Sequence, residues 1–473
     1  MDRQGGRTVT PVRVAVNRAV GELGAEQTRA DVVVVGAGLA GLSAARLLVG
    51  AGLDVAVLEA RRRVGGRTLT RWTSDGTLLD VGAQWLGPTQ ERIAALAASV
   101  GVTSFPSFDS GDHMILRAGR RWRAEGILDA DPRLQVAVEE AWKALDEAAA
   151  QVPLDAPWTA ANAAAWDAQT AESWIPAQTG YEPARELLRM SIRGTHAIEP
   201  REVSLLHVLF HLHAAGGLGR VVATTGGAQD SRFREGAQAV STRLAGELGD
   251  RVVLGAAVRE VEQDGAGVRV AAGGHAVAAR RAILALPPTL AGRIAYRPAM
   301  PGWRDQLTQR VPMGSVIKLH AVYDEPFWRS EGLSGQVVAD SGAVRFIYDN
   351  SPESGRPGVL VAFVEGDDAR RLGHKDPAER RTVVLGELAA HLGGRAGRPR
   401  EVVEQVWADE EHSGGCYPGF FPPGAWTSYG TALRAPVGRL HWAGTETATV
   451  WTGYMDGAVR SGERAAAEVL AAM

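Results

Sequence analysis

The chain has 473 residues, of which 45% are apolar, and a formal net charge of −3 at pH 7. This length exceeds what one ordinary hydrophobic core organises, so we expect two domains. The charge balance provides no basic face for nucleic acid, the single cysteine excludes an intrachain disulfide, and the histidine spacing supplies no metal site.

The N-terminal segment does not have the pattern of a secretory signal. Residues 1–30 contain five Arg and three acidic residues but no apolar core, and we expect a flexible extension. No later run approaches the ~20 consecutive apolar residues of a membrane span. The sequence therefore predicts a cytoplasmic protein without a membrane partner.

The ordered chain is predicted to begin at Asp31 with a βαβ unit. "DVVVV" is a short β-branched run typical of a strand buried on both faces. Apolar residues then recur at helical spacing through "GAGLAGLSAARLLVGAG" up to a glycine stop, and "LDVAVLEA" indicates a second buried strand.

The later chain alternates less regularly. Residues from about 105 to 215 are predicted to be largely helical, and strand periods follow from about 250 and again around 315–364. The helical pattern of "PAERRTVVLGELAAHLG" comes next, and the last fifty residues return to a strand and a helix. This order predicts a nucleotide-binding domain interrupted twice by a second domain. The nucleotide-binding domain is assigned to 31–104, 234–305 and 410–473, and the substrate domain to 105–233 and 306–409.

The motif "GAGLAG" matches the dinucleotide fingerprint at Gly36, Gly38 and Gly41. The first glycine makes a tight turn, the second lets a pyrophosphate approach the backbone, and the third allows close packing of helix and strand. Glu59 ends the next strand and is the expected acceptor for ribose hydroxyl groups. A Gly-rich turn without a ligand is the alternative for the motif alone, and the strand, helix and acid around it favour a dinucleotide.

A second glycine-rich turn follows directly. "ARRRVGGRT" places Arg61, Gly66 and Arg67 close to the same diphosphate, and "WAGTETATVWTGYMDGAVRSG" near the C-terminus repeats the arrangement of strand, turn and helix. Two anion-binding turns at opposite ends of the chain favour an elongated FAD over NAD.

With these motifs the chain resembles the flavin-containing amine oxidases, and most closely the monoamine oxidases. The resemblance extends from about Asp31 to the C-terminus through "LEARRRVGGRT", "GAQWLGPTQERI", "VPMGSVIKLHAVYDEPFW" and "SGGCYPGFFPPGAWTSYG". It implies an α/β fold with a Rossmann-like FAD-binding domain of the glutathione-reductase type and an interleaved α+β substrate domain. It also implies a homodimer.

The lone thiol acquires a role from this resemblance. Cys416 stands where monoamine oxidases join the protein through sulfur to the 8α carbon of the flavin, and related enzymes with noncovalent FAD have another residue there. A small buried hydrophobe is the alternative. We therefore expect 8α-S-cysteinyl FAD.

The same resemblance implies the catalytic residues. Tyr417 and Tyr454 match the aromatic cage that presents electron-rich ring faces to the amine nitrogen. Lys318 matches the lysine that reaches flavin N5 through a water, and a lysine within an apolar strand is unusual in any case because burying an ammonium is costly. The further cofactor contacts implied by the family pattern are Val258, Trp407, Gly444, Glu446 and Met455.

Departures from the family bear on the substrate. The cavity is expected to contain Trp85, Gly194, Val222, Gln229 and Phe346. Gly194 replaces a usual leucine, and the apolar Phe346 offers no ion pair to a distal ammonium, which favours a monoamine over putrescine unless another acid reaches the pocket. Arg193 and His196 flank Gly194 and offer a carboxylate site, with exposure at a helix end as the alternative.

These residues predict an FAD-dependent amine oxidase that converts a primary monoamine and O2 into an aldehyde, ammonia and hydrogen peroxide. An L-amino acid oxidase and a polyamine or putrescine oxidase on the same fold stay open as alternatives. A flavoprotein that only binds FAD is the alternative from a different class.

Overall fold

The computed structural model describes residues 27–126 and 131–473. Of the predicted extension, residues 1–26 lie outside the described residues, and the last residues form a strand. The strands of the described part are β1 (Gln27–Arg29), β2 (Val32–Val35), β3 (Val55–Glu59), β4 (Thr70–Trp72), β5 (Leu78–Asp80), β6 (Trp85–Leu86), β7 (Ser104–Pro106), β8 (Asp112–Arg117), β9 (Arg120–Ala124), β10 (Ser231–Phe233), β11 (Val252–Leu254), β12 (Val258–Gln263), β13 (Val268–Ala272), β14 (His275–Ala279), β15 (Arg281–Ala285), β16 (Ala295–Arg297), β17 (Val316–Tyr323), β18 (Leu333–Ala339), β19 (Val344–Asp349), β20 (Gly358–Glu365), β21 (Glu401–Val406) and β22 (Leu440–Ala443).

The α-helices connect and cover these strands. In chain order they are α1 (Leu39–Gly50), α2 (Glu91–Ser99), α3 (Pro132–Ala149), α4 (Ala163–Asp167), α5 (Ala171–Gln178), α6 (Glu182–His196), α7 (Leu205–Ala215), α8 (Leu218–Val222), α9 (Gln238–Leu248), α10 (Pro288–Ala291), α11 (Gly302–Thr308), α12 (Phe327–Ser330), α13 (Gly366–Gly373), α14 (Pro377–Leu392), α15 (Ala425–Tyr429) and α16 (Met455–Ala471).

A five-stranded parallel sheet organises the nucleotide-binding part. Its order is β11-β3-β2-β15-β22, and every neighbouring pair is parallel. Helices α1, α9 and α16 pack on one face, and strands β12–β14 cover the other. Both faces of this sheet are therefore shielded from water, which explains why the four valines of β2 are all buried. This arrangement confirms the predicted α/β fold class.

A seven-stranded sheet forms the second part, in the order β21-β17-β20-β19-β18-β8-β9. Helices α3–α8 pack beside it around their own apolar core. The helical expectation for about 105–215 is wrong at its start, because β8 and β9 join this sheet. β8 pairs in parallel with β18, which lies over two hundred residues later in the chain, so no local pattern reveals the pairing. The exact division into two domains stays a prediction.

Among residues 27–126 and 131–473 there is no helix whose length and apolarity would allow it to cross a membrane.

The dinucleotide turn joins β2 to α1. Gly36 has φ +103°, which favours glycine, and Gly41 packs so tightly that a Cβ there would lie 1.9 Å from the carbonyl oxygen of Gly36. A backbone oxygen cannot rotate away as a side chain can. The third glycine is therefore needed for the contact between helix and strand.

We expect Gly41→Ala to lower the free energy of unfolding by about 1–3 kcal/mol, because the new methyl group overpacks the turn. Gly50→Ala in the same helix has open space around its Cβ and no left-handed φ, so it should be neutral or raise stability by up to about 1 kcal/mol. Thermal unfolding of the two purified variants beside the parent measures both effects. Equal melting temperatures for Gly41→Ala and the parent would contradict the packing argument.

Candidate active site

A cavity of about 330 Å³ runs from the dinucleotide turn to the seven-stranded sheet, a volume in the range of small-molecule sites. Most residues predicted for the site line it. They are Gly36, Gly38, Glu59, Arg61, Gly66, Arg67, Trp85, Gly194, Val222, Gln229, Lys318, Phe346, Trp407, Cys416, Tyr417, Gly444, Tyr454 and Met455.

Three predicted cofactor residues are not part of the lining. Gly41 packs behind the dinucleotide turn, Val258 begins β12, and Glu446 lies buried beneath the wall, where it binds Arg67. Glu446 therefore reaches the cavity only through the arginine that it holds.

The end of the cavity at the dinucleotide turn suits an elongated diphosphate ligand. Helix α1 begins without a side-chain cap, so its first N–H groups are left for another acceptor. The Glu59 carboxylate accepts the Ala37 N–H at 2.8 Å and the Arg61 N–H at 3.0 Å, which holds the acid at this turn. A Cβ at Gly66 would lie 3.4 Å from the Cα of Gly38, so the two glycine turns face each other closely. The residues present fit a dinucleotide cofactor.

A buried ion pair ties the C-terminal turn to the cysteine loop. Arg67 donates to both oxygens of Glu446 at 2.6 and 3.1 Å and to the Tyr417 carbonyl at 2.9 Å. Burial alone would raise the pKa of Glu446, but Arg67 and the Gly419 N–H outweigh it and hold the pKa below its usual range. The Glu446 carboxylate is therefore charged, and both of its oxygens accept hydrogen bonds.

The cysteine loop depends on its glycine pair. Gly415 has φ +139°, and a Cβ there would lie 2.3 Å from the Gly314 carbonyl oxygen, which accepts the Cys416 N–H at 3.0 Å. The loop therefore approaches the residues before β17 closely enough to bury Cys416. Burial raises the pKa of the Cys416 thiol to about 12, while the nearby Arg67 charge acts in the opposite direction.

Lys318 extends from β17 into the cavity wall. Its Nζ donates to the carbonyl oxygens of Asp80 at 2.7 Å and Gly82 at 2.8 Å, and to Oε1 of Gln84. Three acceptors match the three N–H bonds of an ammonium. Burial lowers the pKa of Lys318 to about 7, and the Asp80 charge opposes that shift. Near neutral pH the group holds its extra proton only part of the time.

Aromatic rings surround this lysine. Its Nζ lies 5.6 Å from the ring centroid of Trp85 and 5.5 Å from that of Phe363, and these two rings stack at 5.7 Å. Trp407 is fully buried and donates from Nε1 to the Val81 carbonyl at 2.9 Å. The wall around the lysine therefore combines apolar ring faces with fixed hydrogen bonds.

The two predicted cage tyrosines line the same cavity from different elements. Tyr417 follows the cysteine and donates its hydroxyl to Glu365 Oε1 at 2.8 Å. Tyr454 precedes α16, and its ring lies 4.8 Å from Trp451 and 5.6 Å from His211. Burial raises the pKa of both phenols, so both are neutral at physiological pH.

The far end of the cavity is mostly apolar. A Cβ at Gly194 would lie 2.7 Å from the ring of Phe346, so the missing side chain makes room for that ring. Val222 also lines the cavity, and Gln229 donates from Nε2 to the Val221 carbonyl at 3.2 Å. Among the described residues that line this end, none is Arg or Lys.

The expectation that Arg193 and His196 are exposed at a helix end is wrong. Arg193 is 9% exposed and donates to both oxygens of Glu199 at 2.9–3.1 Å. His196 is 1% exposed, its ring lies 4.4 Å from that of His211, and burial lowers its pKa to about 4. Neither residue lines the cavity. The interpretation as a carboxylate site in this cavity is therefore not supported, since neither side chain lines it and Arg193 forms an ion pair with Glu199.

Among the polar lining residues that sequence reasoning missed are Gln84, His211 and Glu365. Gln84 connects Lys318 to Asn350, whose Oδ1 also accepts from Arg232 at 2.8 Å. Gln84 could have been predicted from its position next to Trp85 in the motif "GAQWLGPTQERI". Glu365 could also have been predicted, because it is an acid at the end of an otherwise apolar strand.

Comparisons with known proteins agree with this site. Residues 39–470 match the family model described as flavin containing amine oxidoreductase. The chain is 40% identical to a Dictyostelium discoideum protein named "Probable flavin-containing monoamine oxidase A", over 93% of this chain and 97% of that one.

Solved structures show the same fold. Putrescine oxidase bound to putrescine matches with a TM-score of 0.91 and 36% identity, over 94% of this chain and 100% of that chain. Cyclohexylamine oxidase from Brevibacterium oxydans matches with a TM-score of 0.89 and 34% identity, over 94% and 99%. With a dinucleotide turn, an aromatic cavity and a buried lysine in one continuous site, this chain belongs to the flavin-containing amine oxidase family.

Proposed function

We propose that this protein is an FAD-dependent oxidase of primary monoamines, which forms an aldehyde, ammonia and hydrogen peroxide. The observation that carries the proposal is the joining of the dinucleotide turn, Lys318, Cys416 and the tyrosine pair in one cavity. A flavin bound there supplies the two-electron oxidation of the carbon next to the amine nitrogen and passes the electrons to O2.

The protein's own residues bind and orient. The free N–H groups at the start of α1, the glycine turns and Glu59 suit the diphosphate and ribose of the cofactor. Tyr417 and Tyr454 present ring faces to the amine nitrogen, and the aromatic wall excludes water from it. Lys318 is held rigidly by its three acceptors and carries an exchangeable proton at Nζ near neutral pH.

The far end of the cavity favours an apolar substituent on the amine. Phe346, Val222 and the backbone of Gly194 provide no ion pair for a substrate carboxylate, and the described lining there contains no Arg or Lys. This composition disfavours an L-amino acid, whose carboxylate would need a cation when desolvated.

A diamine oxidase is the second candidate. Glu365 is an acid in the substrate half of the cavity, and the similar putrescine oxidase structure contains putrescine. A carboxylate at a suitable distance from the reacting nitrogen would attract a second ammonium. Substrate turnover is the direct way to separate the two candidates.

We expect benzylamine, phenethylamine and alkylamines to produce hydrogen peroxide, with putrescine and L-amino acids at least about tenfold lower in kcat/KM, since one unpaired buried charge costs at least that factor. A coupled peroxidase assay on the purified holoenzyme measures each substrate. Heat-inactivated protein is the control. Preferred turnover of putrescine would move the assignment to the diamine class, and preferred turnover of amino acids would overturn both.

We propose further that Cys416 binds the flavin covalently through its sulfur. The thiol lies buried in the cavity wall. Burial raises its pKa, and the nearby Arg67 charge offsets only part of that shift toward the thiolate that such a bond requires. In acid-precipitated parent protein the yellow colour should stay in the pellet, and in Cys416→Ser it should pass into the supernatant. Release of all flavin from the parent would return Cys416 to a packing role and leave the oxidase proposal intact.

Replacement of Lys318 by Met should lower kcat by at least about tenfold, the typical effect of losing a group that moves a proton. The variant also leaves three buried acceptors unpaired, so its melting temperature should fall. Lys375→Met, in the exposed connection between α13 and α14, is the matched control and should behave like the parent. Steady-state kinetics with varied O2 beside thermal melts separate the two effects. Parent-like kcat in a folded Lys318→Met protein would contradict the role of Lys318 in moving a proton.

A dimer and a cytoplasmic location stay predictions that depend on the family resemblance and on composition.

A further inference from the structure

Glu365 is a buried acid in the wall of the substrate cavity. It is the last residue of β20, whose eight residues are all buried, and its own exposed fraction is 4%. The chain turns directly after it, at Gly366 with φ +60°, and the side chain lines the cavity. The fold thus places a carboxylate where the neighbouring positions of the strand are apolar.

The Glu365 carboxylate has no ion-pair partner among the described residues. Its one hydrogen bond from them is the 2.8 Å contact donated by the Tyr417 hydroxyl to Oε1. Arg193 is already bound to both oxygens of Glu199, and Arg345 lies near Glu186 and Asp368 at 3.8 and 3.9 Å. A desolvated acid without a counter-ion destabilises a fold. Such a group in a cleft points to a role in function.

The charged and titratable groups around Glu365 come from three neighbouring elements. They are Tyr417 on the cysteine loop, Arg345 and Tyr348 on β19, and Arg193 and Glu199 at the end of α6 and just after it. Burial raises the pKa of Glu365 to about 7, while the Tyr417 hydrogen bond and the two arginine charges oppose that shift. The carboxyl is therefore mainly neutral below pH 7 and mainly charged above it.

We propose that Glu365 is a positioning residue for amine binding, whose carboxylate orients the Tyr417 ring and supplies the negative charge that draws a cationic nitrogen to the cage. The role deepens the proposed oxidase function and rests on it for the identity of the ligand. A charged acceptor on the phenol hydroxyl increases electron density on the ring, which strengthens its attraction for a cation. In the dry cavity the direct attraction is also larger than in water.

The contact with Tyr417 places this charge next to one ring of the proposed cage, which faces the reacting nitrogen. Tyr417 follows Cys416 directly, and its ring packs against the apolar cluster that contains Cys416 and Trp407, two residues assigned to the cofactor. The distal end is formed by Gly194 and Phe346, which contact each other. Glu365 accordingly serves the amine that is oxidised.

Two isosteric ligands test this without turnover. Benzyltrimethylammonium carries a permanent positive charge, and neopentylbenzene has the same shape without it. Titration of the holoenzyme, followed by the perturbation of flavin absorbance, gives a Kd for each at several pH values. The cation should bind about tenfold more tightly above pH 7 than below it in the parent, the effect of one partly screened charge, and the neutral ligand should show no such change.

Glu365→Gln removes the charge and keeps an oxygen that can accept the Tyr417 hydrogen bond. In this variant the pH dependence of cation binding should disappear, and the KM for a monoamine above pH 7 should rise about tenfold with a smaller change in kcat. Glu186→Gln, an acid of α6 near Arg345 that does not line the cavity, is the matched control and should retain the parent's pH dependence. If Glu365 had only a structural role, Glu365→Gln would keep the pH dependence of cation binding, as the control variant does.

Three results would overturn the proposal. One is a cation affinity in the parent that does not change across pH 7, including no binding at all. Another is an unchanged pH profile in Glu365→Gln. The third is a loss in Glu365→Gln of putrescine turnover alone, which would assign the carboxylate to a distal ammonium. If the parent oxidises no amine yet binds the cation as expected, the oxidase function fails and the role of Glu365 stands.

Discussion

The buried ammonium of Lys318 is the constraint on which the rest of the site depends. A lysine on a strand with neighbouring strands on both sides, β20 and β21, cannot reach bulk water, so the fold must provide its hydrogen-bond acceptors. Two of them are the backbone carbonyls of Asp80, the last residue of β5, and of Gly82, and the third is the side chain of Gln84. These contacts attach the second turn region of the nucleotide-binding part to the substrate sheet. The shared cavity forms at that junction.

The polar groups behind Lys318 extend this junction. Gln84 donates to Asn350, Asn350 accepts from Arg232, and Arg232 also reaches the Ser351 carbonyl. Each of these residues is buried, so every bond replaces one to water and misplacing one would leave a partner unsatisfied. Such a network specifies one geometry of the lysine. An oxidase needs a rigid wall at this position to hold a reactive amine and a cofactor in a fixed relative orientation.

The cavity differs in charge between its two ends. At the cofactor end, Arg61 forms an ion pair with Glu59, and Arg67 forms one with Glu446. At the substrate end one carboxylate stands without a counter-ion against aromatic rings. Above pH 7, where this carboxyl is mainly charged, its uncompensated negative charge in a dry aromatic pocket favours a positive ligand. The distribution of charge therefore agrees with an amine substrate independently of sequence resemblance.

Local signals in the sequence were sufficient for the glycine turns and the buried first strand. Gly36 and Gly41 are required by backbone geometry within a few residues, so a short motif contains the whole reason for them. The role of Arg193 could not be predicted in the same way. Its partner Glu199 lies beyond the end of α6, and the two side chains meet only in the folded chain. The strands β8 and β9 were missed because β8 pairs with β18, far away in sequence.

The sequence by itself determined the fold class and the dinucleotide turn, since these follow from motifs whose physics is local, and its resemblance to known proteins indicated the family. Only the tertiary structure decided which charges are compensated. Burial and partner distance are properties of the packed chain, and they made Arg193 a structural ion pair and Glu365 an unpaired acid in the cavity. Two residues of opposite charge near one pocket therefore have different roles, and only their spatial neighbours distinguish them.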